Sequence, residues 1–330
     1  MSVSEVDTAL TDMMAAVFAE YGGDTDLWER LDALGLVRLT GSEAAGGSGA
    51  GWSEAAELLS AAARHAVRIP LPEHDLLACW LLDAAGAPID SRRRTIALLD
   101  ARGRAAGVPW ASTADRIVLI WPSDVGYRIA DVDRGAVSIT VGANMIDEPR
   151  DAVEADTAAL PEVTVDAELV DTLRLKAALV RALQICAALD RALELSVDHA
   201  TTRTQFGRPL AKFQAVQHLV SDIACEAALA RSATEAALSV AVATDWAAPN
   251  LEFLVAAARS CAGHATSVVV RNAHQVHGAI GTTSEHRLHH FTRAALAWRS
   301  EFGSTRYWDD RLTEMALQAG AQRLWSLISP

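Results

Sequence analysis

From Asp166 to the end of the chain, apolar residues return every three or four positions over stretches far longer than a strand. Leu179, Leu183, Cys186, Leu193 and Val197 mark one face of a long helix; Val216, Val220, Ile223, Ala227 and Ala230 mark the next. The same spacing predicts two further helices over 247–279 and 308–328, with a shorter one over 286–299 between them. An amphipathic stripe must be buried against a partner, and long alanine-rich helices joined in sequence do so as an antiparallel bundle.

Residues 1–92 also read as helical. Between Asp26 and Gly35, Leu27, Leu31 and Leu34 repeat at helical spacing and a glycine follows as a cap. The glycine-rich Gly46–Gly51 separates this helix from another over Trp52–Ala66, which Pro70 and Pro72 are expected to end. A third helix is predicted over Glu73–Ala85. The character then changes. Thr95–Leu99, Arg116–Trp121 and Ala136–Val141 are short β-branched runs between turn residues and read as strands. A β-domain of roughly 65 residues is small enough to lean on the helices. The expected fold is mainly α with a small β domain: a helical part (1–92), a β part (93–160) and a four-helix bundle (161–330).

The chain has 330 residues, 51% apolar and 22% charged, enough to bury a sizeable core. Its net charge of −13 argues against nucleic acid as the main partner, which basic residues would have to neutralise. No apolar run reaches the roughly 18 residues of a membrane span. The best candidate, Ala177–Val197, is broken by Arg181, Asp190, Arg191 and Glu194. The opening MSVSEVDTAL lacks the pattern of a signal peptide. Cys79, Cys186, Cys225 and Cys261 lie far apart without a CxxC pair and read as core side chains. The expectation is a soluble, cytoplasmic protein.

Three features could carry chemistry. The glycine loop at 46–51 follows a helix rather than a strand and Trp52 comes next, so it reads as a flexible connection, not a dinucleotide fingerprint. His277, His286, His289 and His290 crowd into fourteen residues. His286 and His290 share a helix face, yet no third ligand and no HExxH is evident, so no metal is assigned and a solvated or packing face is expected. The third feature is Arg203-Thr-Gln-Phe-Gly-Arg-Pro-Leu-Ala-Lys-Phe-Gln-Ala-Val-Gln-His218, between two bundle helices. It places Arg203 and Arg208 around Gly207 and Pro209, then opens a helix with Phe213, Gln214, Gln217 and His218. Such a segment is either an anion site at a helix N-terminus or an ordinary helix–helix turn.

RTQFGRPLAKFQAVQH resembles the flavin-binding signature of the acyl-CoA dehydrogenase family. Gln275-Val-His-Gly-Ala-Ile-Gly-Thr-Thr-Ser-Glu285, about 70 residues on, resembles that family's second signature. LWERLDALGLVRLTGSEAAGGSGAG and Ile69-Pro-Leu-Pro72 are similar to its N-terminal segment. The resemblance implies an FAD-containing oligomer, with Arg203 on the flavin pyrophosphate and Gln205 and Phe206 beside it. Gln214 and Gln217 would lie along the cofactor, and Gln275 and Gly278 would face a flavin of the adjacent subunit. The family reaction takes the α-proton of an acyl-CoA with a glutamate and passes the β-hydrogen to flavin N5; electrons leave through an electron-transferring flavoprotein.

Against that pattern, the middle segment is short and lacks the Thr-Glu-Pro and Gly-Ser-Asp motifs, and the doubled glycine is Gly278-Ala279. The usual catalytic glutamate falls on Phe302, and the alternative position on the long bundle helix falls near Ala177. Glu301, one residue away, is the candidate base. Trp298 and Trp308 flank this loop as candidate pocket walls, while Trp28, Trp52, Trp80 and Trp325 read as core. Two functions are expected from the resemblance. In one, the chain dehydrogenates an acyl-CoA, bulky or branched, through Glu301 or a partner's glutamate. In the other, it is a base-less subunit that completes the flavin site of a heteromeric enzyme; the assembly expected is a homo-oligomer or a heterotetramer with a longer acyl-CoA dehydrogenase subunit.

Overall fold

The computed structural model describes residues 6–328, so the first five residues of the N-terminal stretch lie outside it. Contacts divide the chain into two compact units. One contains 21–55 and 68–177; the other contains 1–20, 56–67 and 178–330.

In the N-terminal part, α1 (Thr8–Tyr21) is followed by α2 (Leu27–Ala33) and α3 (Trp52–Arg64). Gly35, at φ +72°, ends α2 as the sequence predicts: its N–H donates to the Asp32 carbonyl and the Leu36 N–H to that of Leu31. α3 stops short of the prolines. Ala66 takes the left-handed conformation (φ +61°) and the Val67 N–H closes back on Ala62 at 2.9 Å. Pro72 instead opens the next element, where its missing N–H costs nothing. That element is a π-helical stretch, Pro72–Cys79, buried throughout, running into α4 (Trp80–Ala84).

Seven strands follow where three are expected: β1 (Arg94–Leu98), β2 (Arg104–Pro109), β3 (Arg116–Ser123), β4 (Gly126–Asp133), β5 (Ser138–Thr140), β6 (Arg150–Glu154) and β7 (Val163–Val165). The strands not foreseen, β2, β4, β6 and β7, are short or rich in charge, alanine and glycine, and owe their state to pairing rather than propensity. They form a sheet of order β1-β3-β4-β7, parallel only at β1–β3, and an antiparallel sheet of order β2-β6-β5. Ile117, Leu119 and Trp121 alternate along β3 toward a core shared with Ala130 and Val132 of β4, Val108 of β2 and Val153 of β6.

Polar burial in this unit centres on Asp131. Its Oδ2 accepts from Arg94 Nε (3.2 Å) and Nη2 (3.0 Å) and from Arg116 Nε (2.7 Å), and the Arg94 side chain is 1% exposed.

In the other unit, α5 (Ala167–Thr202) contributes its residues from 178 onward and packs with α6 (Gln214–Ala243), α7 (Leu251–His277), α8 (Leu288–Trp298) and α9 (Thr305–Ile328). Residues 176–183 of α5 are buried on every side, the state of a central helix. Its stripe runs out at Val197, which is 40% exposed. Residues 251–282, the segment long and apolar enough to cross a bilayer by composition, have half of their most apolar window buried inside the protein, as in a core helix. Two expectations of burial fail. Trp325 is 73% exposed on α9, beyond the left-handed break at Gly320, and Cys225 is exposed on the outer side of α6.

Asp131→Asn is expected to leave two buried or half-buried guanidiniums short of charge. The cost should be roughly 3 kcal/mol, read as a fall of about 4 °C in the thermal unfolding midpoint.

Candidate functional site

The connection from α5 to α6 is built as a projecting hairpin. β8 (Thr204–Gln205) pairs with β9 (Arg208–Pro209), and the two tip residues, Phe206 (φ +51°) and Gly207 (φ +76°), are both left-handed. That is the geometry of a two-residue hairpin turn twisting with its strands. Glycine adopts it freely, whereas for Phe206 it costs on the order of 1 kcal/mol. The phenyl ring gains little from its own chain in return, being 90% exposed and meeting only the edge of the Phe213 ring at 6.2 Å among the described residues. Arg203 and Arg208 have no carboxylate partner among the described residues; Arg208 lies over the Phe213 ring at 4.2 Å. Gln205 and Gln214 are exposed, and Gln217 Nε2 donates to the Ala211 carbonyl at 2.8 Å. Val197, Thr201, Val216, Gln217 and Val220 line a groove of about 230 Å³ behind the hairpin.

The second signature segment closes α7. Gln275 is exposed, and Gly278 (φ +62°, ψ −142°) turns the chain in a conformation that only glycine adopts readily. Gly281 is required for another reason: a Cβ there would lie 2.8 Å from His277 Cβ and 3.2 Å from Leu288 Cδ2. The last turns of α5, just before the first segment, meet the second. His199, one turn before Arg203, stacks on His277, immediately before Gly278, with ring centroids 4.6 Å apart.

This also corrects the expected histidine pairing. α8 begins only at Leu288, so His286 lies in the turn before it and does not share a helix face with His290. His286 instead meets His277 edge-on at 4.6 Å, while His289 and His290 pair with each other at 4.0 Å. Burial is the first cause that holds His277 down to about 4, and it lowers His199 and His286 as well. His199 was not readable as a member of this group, since 277 − 199 = 78 positions separate it from His277.

The loop after α8 holds the candidate base. Glu301 does not face open space: its Oε2 accepts from Arg181 Nε at 2.7 Å, and Arg181 is buried on α5. Arg259 of α7, also buried, donates from Nη2 to the carbonyls of Arg299 (3.2 Å), Glu301 (2.8 Å) and Gly303 (2.9 Å). Burial, then the nearby Arg181 charge, pushes Arg259 down to about 9. Phe302 is left-handed at φ +50°, and its ring faces the Arg181 guanidinium at 5.2 Å. Trp298 and Trp308 are buried beside this loop, Trp308 packing where a side chain on Gly303 would sit. A guanidinium that donates to a carboxylate occupies the lone pairs a general base would use. The arrangement thus works as a clamp on the loop.

A larger cavity, about 380 Å³, lies among Arg92, Arg94, Arg116, Asp90 and Asp131 in the sheet-containing unit. Its guanidiniums are already paired with these aspartates, so it offers no unmet charge to an anion.

Glu301→Gln is expected to leave Arg181 beside Arg259 without a counter-charge. Thermal unfolding should show a loss of roughly 3 kcal/mol, about 4 °C in midpoint. A midpoint unchanged within 2 °C would show that the ion pair is not a clamp.

Comparison with known proteins agrees with this architecture. Residues 173–324 match the model of the acyl-CoA dehydrogenase C-terminal domain. The acyl-CoA dehydrogenase IpdE2 of Mycobacterium tuberculosis is 30% identical over 291 residues, covering 85% of this chain and 83% of IpdE2. Among solved structures, a chain of the ChsE4-ChsE5 complex from Mycobacterium tuberculosis superposes with a TM-score of 0.85 at 22% identity, covering 97% of this chain and 99% of that one. A chain of the Tcur3481-Tcur3483 steroid ACAD gives 0.83 at 22% identity, covering 94% and 98%. The chain belongs to the acyl-CoA dehydrogenase family.

Proposed function

We propose that this chain is the flavin-holding subunit of a heteromeric acyl-CoA dehydrogenase whose α-proton acceptor comes from a second, longer subunit. The observation that carries this reading is a contrast within one chain. The two signature segments stand together, exposed and with unpaired cations, while the position of the base is a phenylalanine and its neighbour Glu301 is tied to Arg181. The likeness in fold to chains of two-component complexes supports the heteromeric part.

The residues fit an FAD from this side. Two guanidiniums without carboxylate partners, on a turn leading into α6, suit a pyrophosphate, and the bare Phe206 ring awaits an apolar cover. In this reading Arg203 holds the pyrophosphate, Gln205 and Phe206 flank it, and Gln214 and Gln217 lie along the cofactor. Gln275 and Gly278, at the end of α7, face the flavin of the adjacent subunit. FAD, when bound, supplies the acceptor for the substrate's β-hydrogen. This chain orients it and shields it from water, and an electron-transferring flavoprotein takes the electrons onward. The substrate class is a bulky acyl-CoA, a steroid-derived one being favoured by the steroid enzyme among the fold neighbours.

The test is the visible spectrum of the chain alone and co-purified with a longer partner, with Arg203→Met in each. The wild-type complex should carry flavin and oxidise acyl-CoA. Arg203→Met should lose the flavin at least tenfold more readily, while its unfolding midpoint stays within about 1 °C, because nothing in the chain holds that side chain. Turnover by the chain alone with added FAD would overturn the heteromeric reading, and full flavin retention by Arg203→Met would overturn the assignment of the site.

A further inference from the structure

We propose that His199, His277 and His286 form a binding site for a divalent transition-metal ion of the zinc type, fastening the two signature segments together. The three imidazoles come from three separate pieces of the same unit: the last turns of α5, the last residue of α7 and the turn before α8. One ring nitrogen from each lies within 4.8 Å of the others. Four-coordinate zinc takes imidazole nitrogens at about 2.0–2.1 Å, which sets them roughly 3.4 Å apart. Closing the triad on an ion therefore asks for shifts on the order of 1 Å and for the His199 ring to turn out of its stack on His277, a motion open to a half-exposed side chain.

His277 is the anchor. It is 5% exposed, and its Nδ1 donates to the Ala273 carbonyl at 2.7 Å. That bond fixes the tautomer and leaves the Nε2 lone pair buried without a partner, the second-shell arrangement usual for a metal-binding histidine. A buried acceptor left bare is costly, and a metal is the occupant that a ring of three imidazoles suits. His199 brings its ring against His277 at 4.6 Å and, among the described residues, makes no polar contact that competes for its lone pair. His286 is the ring that adjusts: its Nδ1 accepts from the Leu288 N–H at 3.1 Å, a bond that coordination through Nδ1 replaces. Burial lowers all three rings, which favours the neutral form in which imidazole binds metal. With three protein ligands, the fourth position falls to water. The ion's part is structural, holding the turn that leads to Arg203 against the turn at Gly278.

The full chain, stripped with a chelator and dialysed against zinc chloride, should retain about one equivalent of zinc and unfold roughly 5 °C higher. Cobalt(II) in its place should give the visible d–d absorption of a four-coordinate nitrogen site. His199→Gln and His286→Gln, at half-exposed positions that the fold tolerates, should each lower the bound metal at least tenfold and abolish the midpoint rise. His290→Gln, outside the triad, should retain both. A wild-type chain that keeps no zinc above background overturns the proposal, as does zinc binding that His199→Gln and His286→Gln leave unchanged.

Discussion

A helix buried on every side cannot carry a charge without a matching partner, and α5 carries two in its buried middle. Lys176 and Arg181 are each 1% exposed. Desolvating such cations costs several kcal/mol apiece unless the surroundings answer them. Lys176 is answered by aromatic faces, 4.7 Å from the Trp52 ring and 4.4 Å from that of Trp80. Arg181 is answered by the Glu301 carboxylate, the Gln184 side chain and the Phe302 ring. Much of what surrounds α5 follows from these two obligations, including the tryptophans that sequence reading placed in the core for their apolarity alone.

The second obligation reshapes the loop where a dehydrogenase of this family is expected to hold its base. A glutamate in that loop could be a proton acceptor or a counter-ion, and the choice is made by what it faces. Glu301 faces a buried guanidinium donating to it at 2.7 Å. A second buried guanidinium, Arg259, collects three carbonyls of the same turn. Two cations and one carboxylate leave the loop short of negative charge, and the carboxylate is held where it neutralises best.

How much of this was legible in the sequence divides along a physical line. Helices and their ends follow from spacing and caps within a few residues, so α2 and its Gly35 cap were readable, as was the run of long helices after 166. The turn in RTQFGRP was readable as well, because Gly207 and Pro209 act locally, but the pairing of its flanks into a hairpin was not. Pairing over distance was not. Strands β2, β4 and β6 lack β-branched runs, β7 is β-branched but only three residues long, and all four exist through their partners. The partner of Glu301 lies 120 residues away, so the sequence shows a carboxylate near the right place but not the arginine that claims it. His199 escaped for the same reason, and the four-residue spacing of His286 and His290 suggested a pairing that the late start of α8 prevents.

The position one residue on shows why the difference at the base is more than a substitution. Phe302 is left-handed, its ring lies on Arg181, and the following Gly303, at φ +105°, leaves space that Trp308 fills. A carboxylate placed there would meet the same guanidinium that already holds Glu301, and would be drawn into the clamp rather than toward a substrate. The backbone, the buried cations and the packed indole are mutually consistent with a loop that binds to its own chain. The hairpin is built the opposite way, with no carboxylate on its cations among the described residues and with the Phe206 ring 90% exposed. One end meets its own electrostatic needs and the other leaves them for something else to meet, which is the division of labour expected when a flavin site and a proton acceptor come from different subunits.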